Sequence, residues 1–414
     1  MDTLLQSVTL YEPSHSLHQT VVDIRVVDGK IKQIAKKIKP LSSDSIENLK
    51  GLHVSFGWFD PEVNFSEPGY ESKGRFIDDL NAAASCGYTT LGIMPHTLPF
   101  PNSGSALSFY KGFSNHAVQV HPFGTLTQDA KGTELSELYD LQKAGALGFY
   151  DYKKPLVESN LLKLALQYSK GFNGKIVVYP QDASMCKGGQ LRESPLNLTL
   201  GLKSIPDLSE YLAVQLCIEL LRYTNASLHL TGISTAEVLP LIKKAKKEGL
   251  NLSCSTTVGL LYYDEKELQA FDTRYKLAPG LTDQKTRNAL KNALISGVID
   301  YVTSDHSNVS VEEKDVEFSD AVFGSRSLDA LFPALCDLFG LEKAIELLKR
   351  PYATYGLGKA EIKEGNNAQL SFFKAQKHRI QERENQTHLF HNQEFTYKGV
   401  GVFSKGQLMA SLYV

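Results

Sequence analysis

Cysteine is scarce and unpatterned in this chain: Cys86, Cys186, Cys217, Cys254 and Cys336 are scattered, with no C-x-x-C pair. An odd, irregular set argues against a disulfide framework and for reduced thiols that fill core positions. Net charge is also nearly absent, at -2, so no strong field favours nucleic acid or an anionic membrane. No apolar run approaches the roughly 18 residues of a membrane span. The opening residues Met1-Asp2-Thr3-Leu4-Leu5 lack the basic and apolar regions of a signal peptide. A cytoplasmic protein is therefore expected. Internal repeats and low-complexity linkers are missing too. What remains is an ordinary globular composition of 414 residues, 42% apolar and 22% charged, long enough for one large domain and a smaller one.

Both ends read as short strands. Val21 to Val27 is strand-like, and Asp28-Gly29 turns the chain into Ile31 to Ile34. Ala368 to Phe373 and Gly399 to Phe403 have the same texture. Between them strands and helices alternate. Strands are expected near 57–64, 89–94, 118–123, 146–149, 175–179, 227–230, 251–255 and 299–303, with helical spacing between most of them. About eight such units predict an α/β fold, a (β/α)8 TIM-type barrel over 56–361. Residues 1–55 and 362–414 are expected to form a small β-sandwich from both termini. The run Lys243-Lys244-Ala245-Lys246-Lys247 reads as a solvated helix end, with cations near the negative end of the dipole.

The most informative stretch is Gly57-Trp58-Phe59-Asp60-Pro61-Glu62-Val63-Asn64-Phe65-Ser66-Glu67-Pro68-Gly69. On a strand Glu62 and Asn64 share a face, and polar residues at a strand's C-terminal end are where a barrel enzyme builds its site. The stretch resembles the first barrel strand of the dihydroorotases, a branch of the metal-dependent amidohydrolases, which reads Gly-Φ-Φ-Asp-x-His-x-His-Φ-Arg-Glu-Pro-Gly with Φ apolar. The frame is kept, but Glu62 and Asn64 replace the histidines and Ser66 the arginine. Ser66 cannot fork onto a substrate carboxylate as arginine does.

Later frames resemble the family in the same order. Gly145-Ala146-Leu147-Gly148-Phe149-Tyr150-Asp151 keeps a carboxylate at the bridging position. Val177-Val178-Tyr179-Pro180-Gln181-Asp182 puts Tyr179 where a ligand histidine belongs. Leu228-His229-Leu230-Thr231-Gly232 puts Gly232 at another, while His229 matches a histidine that binds no metal. Val302-Thr303-Ser304-Asp305-His306 retains the aspartate and the histidine beside it. His96 and Ala278 stand where substrate-binding asparagines are expected.

The resemblance implies hydroxide attack on a cyclic amide, with zinc preparing the hydroxide. Its four ligand histidines are absent here. The chain therefore resembles a dihydroorotase homologue with its metal ligands depleted, and no cofactor is expected. Asp305 is the residual catalytic candidate. Glu62, Asn64, Ser66, His96, Asp151, Tyr179, Gly232, Ala278 and His306 would line a degenerate pocket. Tyr150, Tyr152, Tyr179, Tyr262 and Tyr263 would fill the emptied mouth. The resemblance further implies a homodimer and a non-catalytic role in pyrimidine biosynthesis, as a scaffold for aspartate transcarbamoylase or another pathway protein. Three alternatives stay open. One is a cyclic-amide hydrolase with an altered site, using Asp305, Asp151 or His96 as acid and base. Another is a hard divalent cation held by Glu62, Asp151 and Asp305. The third is a small-molecule sensor that keeps the pocket without the reaction.

Overall fold

A computed structural model describes residues 2–156, 158–382 and 386–410. The remaining positions of the expected domain ranges lie outside the described residues. The two termini share one eight-stranded sheet. Its order runs Gln407–Ala410, Glu394–Ser404, Gln369–Arg379, His53–Phe56, Asp2–Leu10, Val21–Val27, Lys30–Ala35, with Asp44–Asn48 also beside Asp2–Leu10. The ends of the chain are stitched together by an antiparallel register that sets Leu370 opposite Phe56. Side chains from both ends, among them Leu5, Ile24, Val54, Leu370 and Phe372, form a single apolar core. The turn between Val21–Val27 and Lys30–Ala35 uses Asp28 and Gly29 at φ 49° and 73°. Two positive φ values match the twist of the flanking strands.

The middle of the chain closes into the expected barrel. Trp58–Asn64, Tyr88–Ile93 and Gln119–Pro122 are parallel neighbours. So are Ile176–Asp182, Leu228–Leu230, Leu252–Thr257 and Tyr301–Thr303. The expected strand at 146–149 takes its place between these groups: Phe149 bridges Gly124 on one side and Ile176 on the other, the Leu147 N–H donates to the Pro122 carbonyl at 2.8 Å, and the Phe149 N–H donates to the Lys175 carbonyl at 3.0 Å. The segment packs closely: a Cβ at Gly148 would meet the Lys175 carbonyl at 3.0 Å and the Phe123 ring at 3.1 Å. The ring is completed where His306 lies opposite Val63. Helices Phe76–Ser85, Gly104–Lys111, Leu138–Ala144, Ser159–Lys170, Asp207–Thr224, Leu239–Lys247 and Gln284–Ile295 surround it.

Two further helices, Leu328–Phe339 and Leu341–Thr354, lead back to the sheet. Tyr352 fixes that seam. Its hydroxyl meets Thr90 Oγ1 at 2.7 Å and accepts from Gln369 Nε2 at 2.8 Å. Among the described residues no helix is long and apolar enough to cross a membrane.

Candidate active site

The first barrel strand, Trp58–Asn64, is buried along its whole length. Its period of two sends Asp60, Glu62 and Asn64 to one face. Asp60 accepts from the backbone N–H groups of Ser304 (3.2 Å) and Glu62 (3.3 Å), tying the first strand to the last. Glu62 accepts from Thr231 Oγ1 at 2.5 Å and Ser255 Oγ at 2.9 Å. Burial lifts the Glu62 carboxyl to about 7, against the Thr231 hydrogen bond and with the nearby Asp305 charge adding to the rise. Burial lifts Asp60 to about 7 as well. Asn64 donates to Ser307 Oγ at 3.2 Å and accepts from the Ser66 N–H at 3.2 Å. Ser66 is buried, with φ 66°.

His229 lies beneath Glu62 as a fully bonded core side chain. Nδ1 meets Ser253 Oγ at 2.9 Å, and Nε2 meets Ser255 Oγ at 3.1 Å and the Tyr301 hydroxyl at 2.9 Å. Burial holds the imidazole far below its usual range, hence neutral. His306 is equally satisfied. Its Nδ1 accepts from the N–H groups of Ser327 and Leu328, each at 3.2 Å, and Nε2 meets Asn308 Oδ1 at 3.1 Å. Burial takes it down to about 3.

The residue that sequence reasoning missed is Lys153. Its Nζ lies 2.8 Å from both carboxylate oxygens of Asp305. It also lies 5.4 Å from the centre of the Tyr152 ring. The two side chains are only 17% and 9% exposed. Burial pulls the lysine down and Asp305 more than offsets it, so the ammonium is firmly held. Burial raises Asp305, and Lys153 opposes that rise. Both residues have a left-handed backbone, φ 51° for Lys153 and 55° for Asp305. Asp305 lies 152 positions away from Lys153 in the chain, so no local pattern pairs the two.

The three carboxylates Glu62, Asp151 and Asp305 do not converge. Asp151 accepts from the Thr127 N–H at 3.0 Å and Thr127 Oγ1 at 2.5 Å instead. Lys153 supplies positive charge at the barrel mouth, and a lysine that meets Asp305 leaves no reason for a third acid. The tyrosines divide as well. Tyr150 and Tyr179 pack with Met94, Phe123 and Val177, with Tyr152 against that group. Tyr262 and Tyr263 lie elsewhere, against Phe390 of the C-terminal segment.

The donor set does not fit the zinc of the dihydroorotase pattern. Glu62 is engaged by hydroxyls, Asp305 by an ammonium, and Asn64 offers an amide. Among the described residues no group of three or more histidine, cysteine or carboxylate side chains is placed to hold a metal ion. Tyr179 and Gly232 are neighbours. A Cβ at Gly232 would lie 3.5 Å from Tyr179 Cε2 and 3.1 Å from Pro279 Cδ, just beyond the half-buried Ala278. Gly232 has φ 67°, which a side chain disfavours by ~1–2 kcal/mol. Gly232→His should therefore destabilise the fold by at least ~2 kcal/mol, overpacking included, in urea unfolding.

His96 sits at the rim. It stacks on Tyr70 (5.7 Å between centres, 12° between planes) and tilts against Tyr152 at 5.6 Å. Desolvation by these rings, followed by the charges of Lys73, Lys154 and Lys153, lowers its pKa.

Comparison with known proteins agrees with this frame. The family model described as dihydro-orotase-like matches residues 54–238. The dihydroorotase of Geobacter metallireducens is 31% identical over 331 residues, covering 80% of this chain and 78% of the relative. That of Caldicellulosiruptor saccharolyticus is 32% identical over 368 residues, 86% of each chain. Among solved structures, the L-hydantoinase (dihydropyrimidinase) from Arthrobacter aurescens aligns with a TM-score of 0.84 at 21% identity, covering 99% of this chain and 96% of that one. A D-hydantoinase (dihydropyrimidinase) from Thermus sp. aligns at 0.80 and 17%, covering 98% and 94%. These two likenesses concern the fold. Sequence identity over most of the chain, together with the retained strand-end frames, places this protein in the dihydroorotase family.

Proposed function

We propose that this chain is a dihydroorotase-family barrel that no longer interconverts a cyclic amide and its open form. It serves pyrimidine biosynthesis in the cytoplasm through protein contacts, as a homodimer and as a scaffold for a pathway enzyme such as aspartate transcarbamoylase. The observation that carries this reading is the buried Lys153–Asp305 pair. In a dihydroorotase the retained aspartate would take a proton from a metal-prepared water. Here both Asp305 oxygens face an ammonium 2.8 Å away. A carboxylate so engaged is poorly placed to accept a proton from water. Tyr150 and Tyr179 are buried in an apolar cluster with Met94, Phe123 and Val177.

A second reading draws on Glu62, whose carboxyl near 7 is suitable for a general base. It would make the chain a hydrolase with altered chemistry. Against it, both Glu62 oxygens already accept hydroxyl protons and the side chain is buried.

The scaffold is tested by mixing the purified chain with the aspartate transcarbamoylase of the same organism. Co-elution as one species in size exclusion, with a raised or stabilised transcarbamoylase activity, is expected. Independent elution at micromolar concentration would remove the scaffold from the proposal.

A further inference from the structure

A cavity of about 300 Å³ opens at the lower end of the barrel, away from Glu62 and Asp305. Its walls come from the starts of barrel strands. Lys175 immediately precedes Ile176–Asp182, and the segment from Gly145 to Phe149 lies beside it. Barrel chemistry belongs to the opposite, C-terminal end of the strands, so the dihydroorotase frame gives this space no task. Its volume is at the lower end of the range for small-molecule sites. Phe149, Tyr355, Leu147 and Leu357 supply apolar walls. Tyr355 is held in place: its hydroxyl meets that of Tyr301 at 2.9 Å, and Tyr301 meets His229 Nε2 at 2.9 Å. A wall fixed in this way lowers the ordering cost of binding.

The polar part of the wall carries charge of one sign. Lys175 lines the cavity, and among the described residues no carboxylate does. Lys175 Nζ donates to Ser227 Oγ at 3.3 Å and lies 5.9 Å from the centre of the Tyr355 ring. Burial disfavours its ammonium, and the charge that opposes this, Asp300, is itself paired with Lys246 at 2.6 Å. A partly buried ammonium without its own counter-ion favours an anion beside it. Two neutral side chains of the same wall are also short of partners. Gln142 donates to the Phe172 carbonyl at 3.2 Å, while its Oε1 has no partner among the described residues. Buried His121 Nε2 has none either. Each such atom costs ~1–3 kcal/mol, so the wall holds more polar capacity than the fold itself uses.

We infer that this lower cavity binds a small organic anion, a planar ring bearing a carboxylate, with the carboxylate on Lys175 and the ring against Phe149 and Tyr355. The inference stands whether or not the barrel turns over substrate. The test is titration calorimetry on the full chain with indole-2-carboxylate and its neutral counterpart, indole-2-carboxamide. The carboxylate is expected to saturate a single site, and the carboxamide to bind about tenfold or more weaker, the scale of a charged hydrogen bond. Lys175→Met should weaken the carboxylate by about the same factor and leave the carboxamide unchanged, so that discrimination disappears. The control Lys154→Met, near His96 at the opposite end, should bind both compounds as the wild type does. Should Lys175→Met fail to fold, Ala146→Leu replaces it, and the larger side chain in the cavity wall should abolish binding of both compounds. No saturable binding, equal affinity for the two compounds, binding that survives Ala146→Leu, or a loss caused by Lys154→Met and not by Lys175→Met would overturn the inference. Because the readout is affinity, failure here is separate from failure of the inactivity or scaffold reading.

Discussion

Replacing Lys153 with Met is expected to destabilise the fold by ~3–5 kcal/mol at neutral pH. That is the scale for removing one member of a buried ion pair and leaving the other charged. The methionine keeps the length of the side chain, so lost packing contributes little. The cost arises because Asp305 is buried and its two oxygens have Lys153 as their cation at 2.8 Å. The effect should depend on pH in a defined direction. Burial already raises Asp305, and without the ammonium that rise is unopposed. A carboxyl raised above its unfolded value contributes stability that is present at low pH and lost as pH rises through its folded pKa. The deficit of Lys153→Met should therefore shrink toward pH 4 and grow toward pH 8. Adding Asp305→Asn should recover most of the loss, since neither charge then remains. Urea unfolding of the four proteins of that cycle, at three pH values, measures all of this.

The second large effect belongs to Glu62. Its carboxyl moves from 4.5 to about 7 on folding, mainly through burial, and Asp60 moves from 3.8 to about 7 for the same reason. Between the unfolded and folded values the native state holds protons that the unfolded chain releases. Stability then falls as pH rises from about 4.5 to about 7. For Glu62 alone the integrated loss is roughly 3 kcal/mol, at about 1.4 kcal/mol per unit. Glu62→Gln removes that contribution and retains one acceptor oxygen for Thr231 or Ser255. The variant should show a shallower decline over this window and should be more stable than wild type at pH 8. Lys314, lowered by burial to about 7, acts above this window. Its contribution to stability rises with pH between about 7 and its unfolded value of 10.5. Buried histidines lowered by desolvation, His306 and His121 among them, act over pH 5 to 8 with the opposite sign. The difference between wild type and Glu62→Gln in thermal unfolding over that range therefore isolates the Glu62 carboxyl.

Most of the architecture was legible because it rests on local pattern. Alternating apolar strands and helical spacing located all eight barrel positions. The strand at 146–149 is among them, bonded to the Pro122 and Lys175 carbonyls, with Gly148 leaving room for the Phe123 ring. The site was half legible. Glu62, Asn64, Ser66, Tyr179 and Gly232 were found as departures from a frame, and Gly232 proves to be packed against by Tyr179 and Pro279. The Lys153–Asp305 pair spans 152 positions, and no local pattern announces it. Asp151 misled for a related reason: a carboxylate at a strand end is attracted to any cation in reach, yet this one is satisfied by the backbone and hydroxyl of Thr127. Tyr262 and Tyr263 were assigned to the mouth by residue type alone, and their chain position takes them to Phe390.

The central claim is that Lys153 and the loss of ligand side chains leave a barrel without dihydroorotase chemistry. The direct measurement is turnover of dihydroorotate and of carbamoyl aspartate by the purified full chain, before and after incubation with zinc, manganese and magnesium, with metal content determined on the same samples. The account predicts no turnover above the uncatalysed rate in either direction and no stoichiometric metal retained after gel filtration. One or two metal ions per chain together with metal-dependent turnover would contradict it.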